Sequence, residues 1–145
     1  MFEGGDIVTR DEMEKYIPKL IEAATNAQKF SYAPFSHFHV GAAVLSNDGR
    51  IFTGTNVEPP VMNLGICAER LAIYKGMSEG VSKFVAVCIV GPTEFALPPC
   101  GACRQILFDF GVEWIIMPYK DKVEIKSMQE LLPYAFSEDM IDTIR

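Results

Sequence analysis

The sequence predicts an α/β fold in which a mixed sheet of about five strands is flanked by helices. Three observations carry that prediction. Stretches with helical spacing alternate with short strand-like runs along the 145-residue chain. The run Phe84-Val85-Ala86-Val87-Cys88-Ile89-Val90 is almost wholly apolar, the pattern of a strand covered on both faces. Two cysteine motifs, Cys67-Ala68-Glu69 and Pro99-Cys100-Gly101-Ala102-Cys103, each stand where a helix is expected to begin. Helix starts that follow strands gather at the sheet edge, where ligands bind in such folds.

The elements follow in order. Thr9-Arg10-Asp11-Glu12 reads as a capping box, with a hydroxyl for one helix amide and a carboxylate for another. Met13, Ile17, Leu20, Ile21, Ala24 and Ala27 then recur at helical spacing, and Pro18 predicts a kink or a fresh helix start within them. The aromatic-rich stretch 30–38, broken by Pro34, reads as a loop. Residues 39–45 read as a strand, Asn47-Asp48-Gly49 as a hairpin turn and 50–57 as the returning strand, ended by Pro59-Pro60. Residues 67–79 read as a helix, 84–90 as the buried strand, and 101–110 as a second helix closed by Gly111. A strand is expected at 114–117 and a short edge strand at 123–125, then a short helix from the capping box Ser127-x-x-Glu130 to Pro133. The chain shows no repeat and no linker, so residues 1–145 are expected to form a single domain.

Composition narrows the function. A net charge of −6 argues against a sequence-independent nucleic-acid binder, which needs a basic face, and fits a neutral or cationic small molecule. The apolar runs are too short to span a bilayer, and Met1-Phe2-Glu3-Gly4-Gly5-Asp6 lacks the basic and apolar stretches of a secretory signal. No membrane association and a cytoplasmic location are expected. Four cysteines, two of them as C-x-x-C, then point to metal or redox chemistry more than to disulfides.

Cys100 and Cys103, three residues apart on a first helical turn, share a face and can clamp one ion. Cys67 is the one other cysteine outside an apolar strand; Cys88 reads as a small core hydrophobe. Three protein ligands leave one tetrahedral position open, the mark of catalytic rather than structural zinc. Three thiolates also overcompensate a divalent charge. Two helix dipoles and the adjacent Arg70 and Arg104 could offset this, either guanidinium bonding a ligand sulfur; both arginines could equally be surface residues. Glu69 is suited to carry protons at such an ion. A lone glutamate here would be read as a dipole partner only, and a thioredoxin-like dithiol explains neither Cys67 nor Glu69. His37 and His39 read as loop and strand residues, because the thiolates already fill the ligand set.

These two motifs, with residues 32–44, Asn56-Val57-Glu58, 64–70, 99–105 and Leu131-Leu132-Pro133 in the same order, resemble the small cytidine deaminase family. The resemblance covers nearly the whole chain beyond the first helix. It implies a three-layer α/β/α sandwich, a homotetramer with active sites at subunit contacts, bound Zn2+, and hydrolytic deamination of cytidine and deoxycytidine in pyrimidine salvage. It implies Cys67, Cys100 and Cys103 as zinc ligands and Glu69 as proton shuttle. It further implies the Ala68 backbone at the pyrimidine edge, Phe38 packed on the base, Asn56 and Glu58 on the ribose 3′-hydroxyl, and Phe136 reaching a neighbouring subunit's site. Without it, Asn56 and Glu58 would read as turn residues and Phe38 as core. Pro59-Pro60-Val61-Met62 departs from the family pattern, which has a small-residue segment with alanine and tyrosine near the sugar 5′ side. Two alternatives stand beside this reading: a blasticidin-S-type or other cytosine-derivative deaminase, and a zinc-stabilised oligomeric binding protein without turnover. Glu58 speaks against the first and Glu69 against the second.

Overall fold

The computed structural model describes residues 5–144, so the amino-terminal stretch read above for a leader falls partly outside the described residues. The helices α1 (Arg10–Glu14) and α2 (Ile17–Gln28) come first, then β1 (Gly41–Ser46) and β2 (Ile51–Thr55). After them come α3 (Ala68–Ser78), β3 (Phe84–Val90), α4 (Gly101–Asp109), β4 (Trp114–Tyr119) and β5 (Lys122–Ser127). The chain then runs through α5 (Met128–Leu131) to α6 (Glu138–Asp142). Both predicted capping boxes form, at Thr9 and Ser127. Pro18 does start a fresh helix, in the first turn of α2. A five-residue helix such as α1 has no stability of its own. Its cap contributes about 1 kcal/mol, whereas burying Met13 and Leu20 contributes about 2 kcal/mol each, so packing holds this corner.

The five strands form one sheet in the order β2-β1-β3-β4-β5, in which only the β3–β4 pair is parallel. Alternation along the strands makes two cores. Ala43, Leu45, Cys88 and Ile116 meet Met13, Leu20 and Ala24 of α1 and α2 on one face. Ala42, Val44, Val87, Ile89 and Ile115 meet Ala72 and Ile73 of α3, Leu107 of α4 and Met128 of α5 on the other. The expected three-layer α/β/α sandwich is the observed fold. A Cβ on Gly54 would lie 2.3 Å from the Ala68 carbonyl oxygen and 2.5 Å from the Ala72 nitrogen, so α3 rests backbone to backbone on β2. Gly54→Ala is expected to destabilise by about 3 kcal/mol, seen as a lower urea midpoint at unchanged m.

The structure adjusts several boundaries. β1 begins at Gly41 and not at residue 39, because the backbone there is claimed by side chains: Gln28 Nε2 donates to the His39 carbonyl at 3.0 Å and Val40 N–H donates to Asn56 Oδ1 at 2.9 Å. β2 ends at Thr55, and Val57 makes only isolated bridges to Tyr32 and Ile66. β5 extends over Lys122–Ser127 because it pairs with the whole of β4. A 3₁₀ turn at Met62–Leu64 and the helix α6 have no counterpart in the sequence prediction.

Candidate metal centre

Gly41 pairs with Thr55 on one side and Val90 on the other, so β2 and β3 end at the same edge of the sheet, flanking the start of β1. The segments leaving them run to α3 and α4. Cys67 and Cys100 are the N-cap residues of these helices, both in extended conformation. Neither side chain caps a backbone amide of its own helix, and the sulfurs face each other across the two helix starts. Cys103 follows one turn into α4 and is fully buried. The three Sγ atoms lie within 4.8 Å of one another, with Cys67 and Cys100 3.9 Å apart. Zinc–sulfur bonds of about 2.3 Å in a tetrahedron put sulfurs about 3.8 Å apart, which this spacing matches. A disulfide requires about 2.05 Å, and all four cysteines are free.

The electrostatics also call for a cation. A hydrogen bond from the Cys103 thiol, then bonds from Arg70 and Cys100, draw the Cys67 thiol down to about 5 against the opposing effect of burial. The same contact with Cys67, together with burial and the Glu69 charge, drives the Cys103 thiol well above its ordinary range. Three sulfurs this close therefore ionise together only around a positive ion, and the donor set fits zinc. Arg70 Nη2 donates to Cys67 Sγ at 3.8 Å. Arg104 does not take the expected place beside a sulfur. Its Nε donates to the Pro99 carbonyl and its Nη1 to the Leu131 carbonyl, each at 2.8 Å. Leu131 ends α5, where helix carbonyls lack intrahelical partners, and this draws the guanidinium away from the cysteines.

Glu69 is 5% exposed, in the first turn of α3. A glutamate serving only the helix dipole would stand in solvent. Burial pushes this carboxyl up to about 7, and the negative Cys67 adds to the rise. Glu69, Cys67, Ala68, Phe38 and Asn56 line one cleft of ≈ 190 Å³, walled also by Leu97 and Pro98. A second cleft of ≈ 290 Å³ shares Asn56 and Cys67 and adds Glu58, Met62 and Arg70. Larger hollows lie elsewhere, such as one of ≈ 470 Å³ beside Phe108 and Met128, but none of them holds the cysteine cluster.

A family model described as the cytidine and deoxycytidylate deaminase zinc-binding region matches residues 14–118. The chain belongs to this family. It is 41% identical to the cytidine deaminase of Halalkalibacterium halodurans, over 85% of this chain and 96% of that one. It is 39% identical to the cytidine deaminase of Sporosarcina psychrophila, over 85% and 93%. Among solved structures, cytidine deaminase from Burkholderia pseudomallei superposes with a TM-score of 0.77 at 40% identity, covering 82% of this chain and 98% of that one. Binding of zinc, expected from the ligand set, is a property of this family.

Most residues singled out from the sequence meet at this centre, but Phe136 does not line its cleft. Phe136 is 56% exposed and borders a separate hollow beside Gln105, whose Nε2 donates to the Phe136 carbonyl at 3.0 Å. Sequence reasoning missed Leu97, Pro98 and the serines of the loop before β1. The paired prolines ahead of Cys100 were a usable signal for a rigid cleft wall. Leu97 sits where a Gly91 side chain would stand: a Cβ there would be 2.4 Å from Leu97 Cδ2.

Proposed function

We propose that the protein hydrolyses cytidine and deoxycytidine to uridine and deoxyuridine, releasing ammonia, in pyrimidine salvage. The observation that carries this reading is a buried carboxyl, Glu69, in the same cleft as a sulfur of a metal-spaced cysteine triad. Cys67, Cys100 and Cys103 would hold zinc, which when bound would supply a Lewis acid to make water nucleophilic at neutral pH. Glu69, whose carboxyl is poised near 7, accepts a proton from the attacking water and passes it to N3 of cytosine. A C4–O bond forms. Glu69 then delivers the second water proton to the C4 amino group, the C4–N bond breaks, and ammonia leaves. Phe38 packs on the base and the Ala68 backbone meets the pyrimidine edge. Asn56 and Glu58, in the adjoining cleft, take the sugar hydroxyl. Arg70 holds the Cys67 sulfur.

The reading extends to a single domain over residues 1–145 and to a homotetramer in which Phe136 reaches a neighbour's site. Large apolar side chains in solvent support the assembly, among them Tyr134 at 101% and Phe35 at 56% exposure. Light scattering that gives a monomer at assay concentration would overturn that part. A cytoplasmic location is supported by four unpaired cysteines, which reducing compartments preserve. Among the described residues no helix is long and apolar enough to cross a membrane. The decisive assay is ammonia release by zinc-loaded protein from cytidine, deoxycytidine, cytosine and blasticidin S. Turnover of the two nucleosides is expected, and turnover of neither would overturn the function.

A further inference from the structure

The loop before β1 has to hold the Phe38 ring at the mouth of the cleft, yet Phe38 is 38% exposed and lies outside any strand or helix. A ring so placed is fixed only if its backbone is fixed. The loop makes a single turn closed by His37 N–H to the Ala33 carbonyl at 3.0 Å, with Pro34 at its start. The next two amides of that turn, Phe35 N–H and Ser36 N–H, resemble the orphan amides of a helix start. Both donate to Glu58 Oε1, at 3.1 and 2.9 Å. Glu58 thus acts as a capping carboxylate supplied from a distant part of the chain. His37 then turns the chain at φ 58, a conformation a residue other than glycine holds only when its surroundings compensate.

The compensation falls on Phe38, the next residue. Its N–H donates to Ser36 Oγ at 3.1 Å and its carbonyl accepts from Asn56 Nδ2 at 2.6 Å. Ser36 Oγ–H in turn donates to Glu58 Oε2. The hydroxyl is therefore a two-way connector: it accepts from the Phe38 peptide and donates to the Glu58 carboxylate. Residues 56–58 complete the frame. Glu58 N–H bonds the Tyr32 carbonyl at 2.8 Å, and Val57 exchanges bonds with Ile66, next to Cys67, at 3.0 and 3.1 Å. The loop that carries the ring and the segment that carries a cysteine of the metal centre are thus pinned to one short strip of backbone.

We infer that Ser36 is a positioning residue of the substrate cleft, its hydroxyl locking the Phe38 backbone to Glu58 and so setting the ring against the substrate base. Its effect on catalysis rests on the nucleoside reading above. Its effect on the loop does not. Ser36 touches neither the cysteines nor Glu69, so it acts on substrate binding and not on the chemical step.

The test compares Ser36→Ala and Ser36→Thr with the native protein, all zinc-loaded, by amide hydrogen exchange at Phe38 and by cytidine kinetics. Ser36→Ala is expected to speed Phe38 exchange about tenfold and raise KM about tenfold, the worth of one hydrogen bond to a charged group's partner. Its kcat should stay within about twofold and its zinc content should not change. Ser36→Thr, which keeps the hydroxyl, should restore both exchange and KM. Unchanged Phe38 exchange in Ser36→Ala, a loss confined to kcat, or a threonine variant as impaired as alanine would each overturn the assignment. If the native protein turns over no cytidine, the nucleoside reading fails, and the exchange result alone upholds or overturns the latch.

Discussion

Glu69→Gln is expected to keep its zinc and lose about 10³-fold in kcat on cytidine, within the range general acid–base groups contribute. Glutamine has the shape of glutamate but cannot accept the proton of the attacking water or return it to the ring. No solvent base can replace it, because the side chain is 5% exposed. Folding should not suffer. Burial already disfavours the ionised carboxylate, as its rise to about 7 shows, and a neutral amide escapes that penalty. Metal content by atomic spectroscopy, melting temperature and kcat together check the expectation. A zinc-loaded glutamine variant with native kcat would remove Glu69 from the mechanism.

Cys67→Ala should cut zinc affinity by at least about 10²-fold and take turnover with it. Cys67 does two things at once: from the N-cap position of α3 its sulfur faces Cys100, 3.9 Å away, and it accepts from Arg70 Nη2. The alanine variant leaves that guanidinium without its sulfur, beside an Nε that is already buried and unpartnered, so a lower melting temperature is also expected. Cys88→Ala is the control. Cys88 lies on the opposite face of the sheet among the side chains that meet α1 and α2, and burial pushes its thiol up to about 12. It should keep full zinc content. Equal metal loss in the two variants would show that the ligand set is wrong.

Local signals in the sequence carried far because they are local in physics. The run of β3 is apolar at nearly every position because both its faces are covered, so its limits were legible without the fold. The caps at Thr9 and Ser127 need residues only three apart. The edge strand β5 was legible only in its middle, because half of its reason to exist is pairing with β4, a contact no local pattern encodes. The loop before β1 was legible as a loop and not as a built object. Its order comes from Asn56 and Glu58, about twenty residues away in the chain, whose side chains bond its amides and carbonyls.

Arg70 and Arg104 make the same point at the metal. Each directly follows a motif residue, and nothing in the sequence separates them. The fold does: Arg70 lies three residues beyond Cys67 on one helical face, while Arg104 finds the open carbonyl end of α5. By itself the sequence determined the chemistry available, three soft ligands and one carboxyl at two helix starts, because ligand type and short spacing are properties of residues and single turns. Only the tertiary structure decided how that chemistry is mounted. The register that ends β2 and β3 at one edge of the sheet, on either side of the start of β1, brings the sulfurs to a spacing that suits one shared ion, and the burial of Glu69 raises its carboxyl to a working range. Distance and desolvation arise only when remote segments pack together.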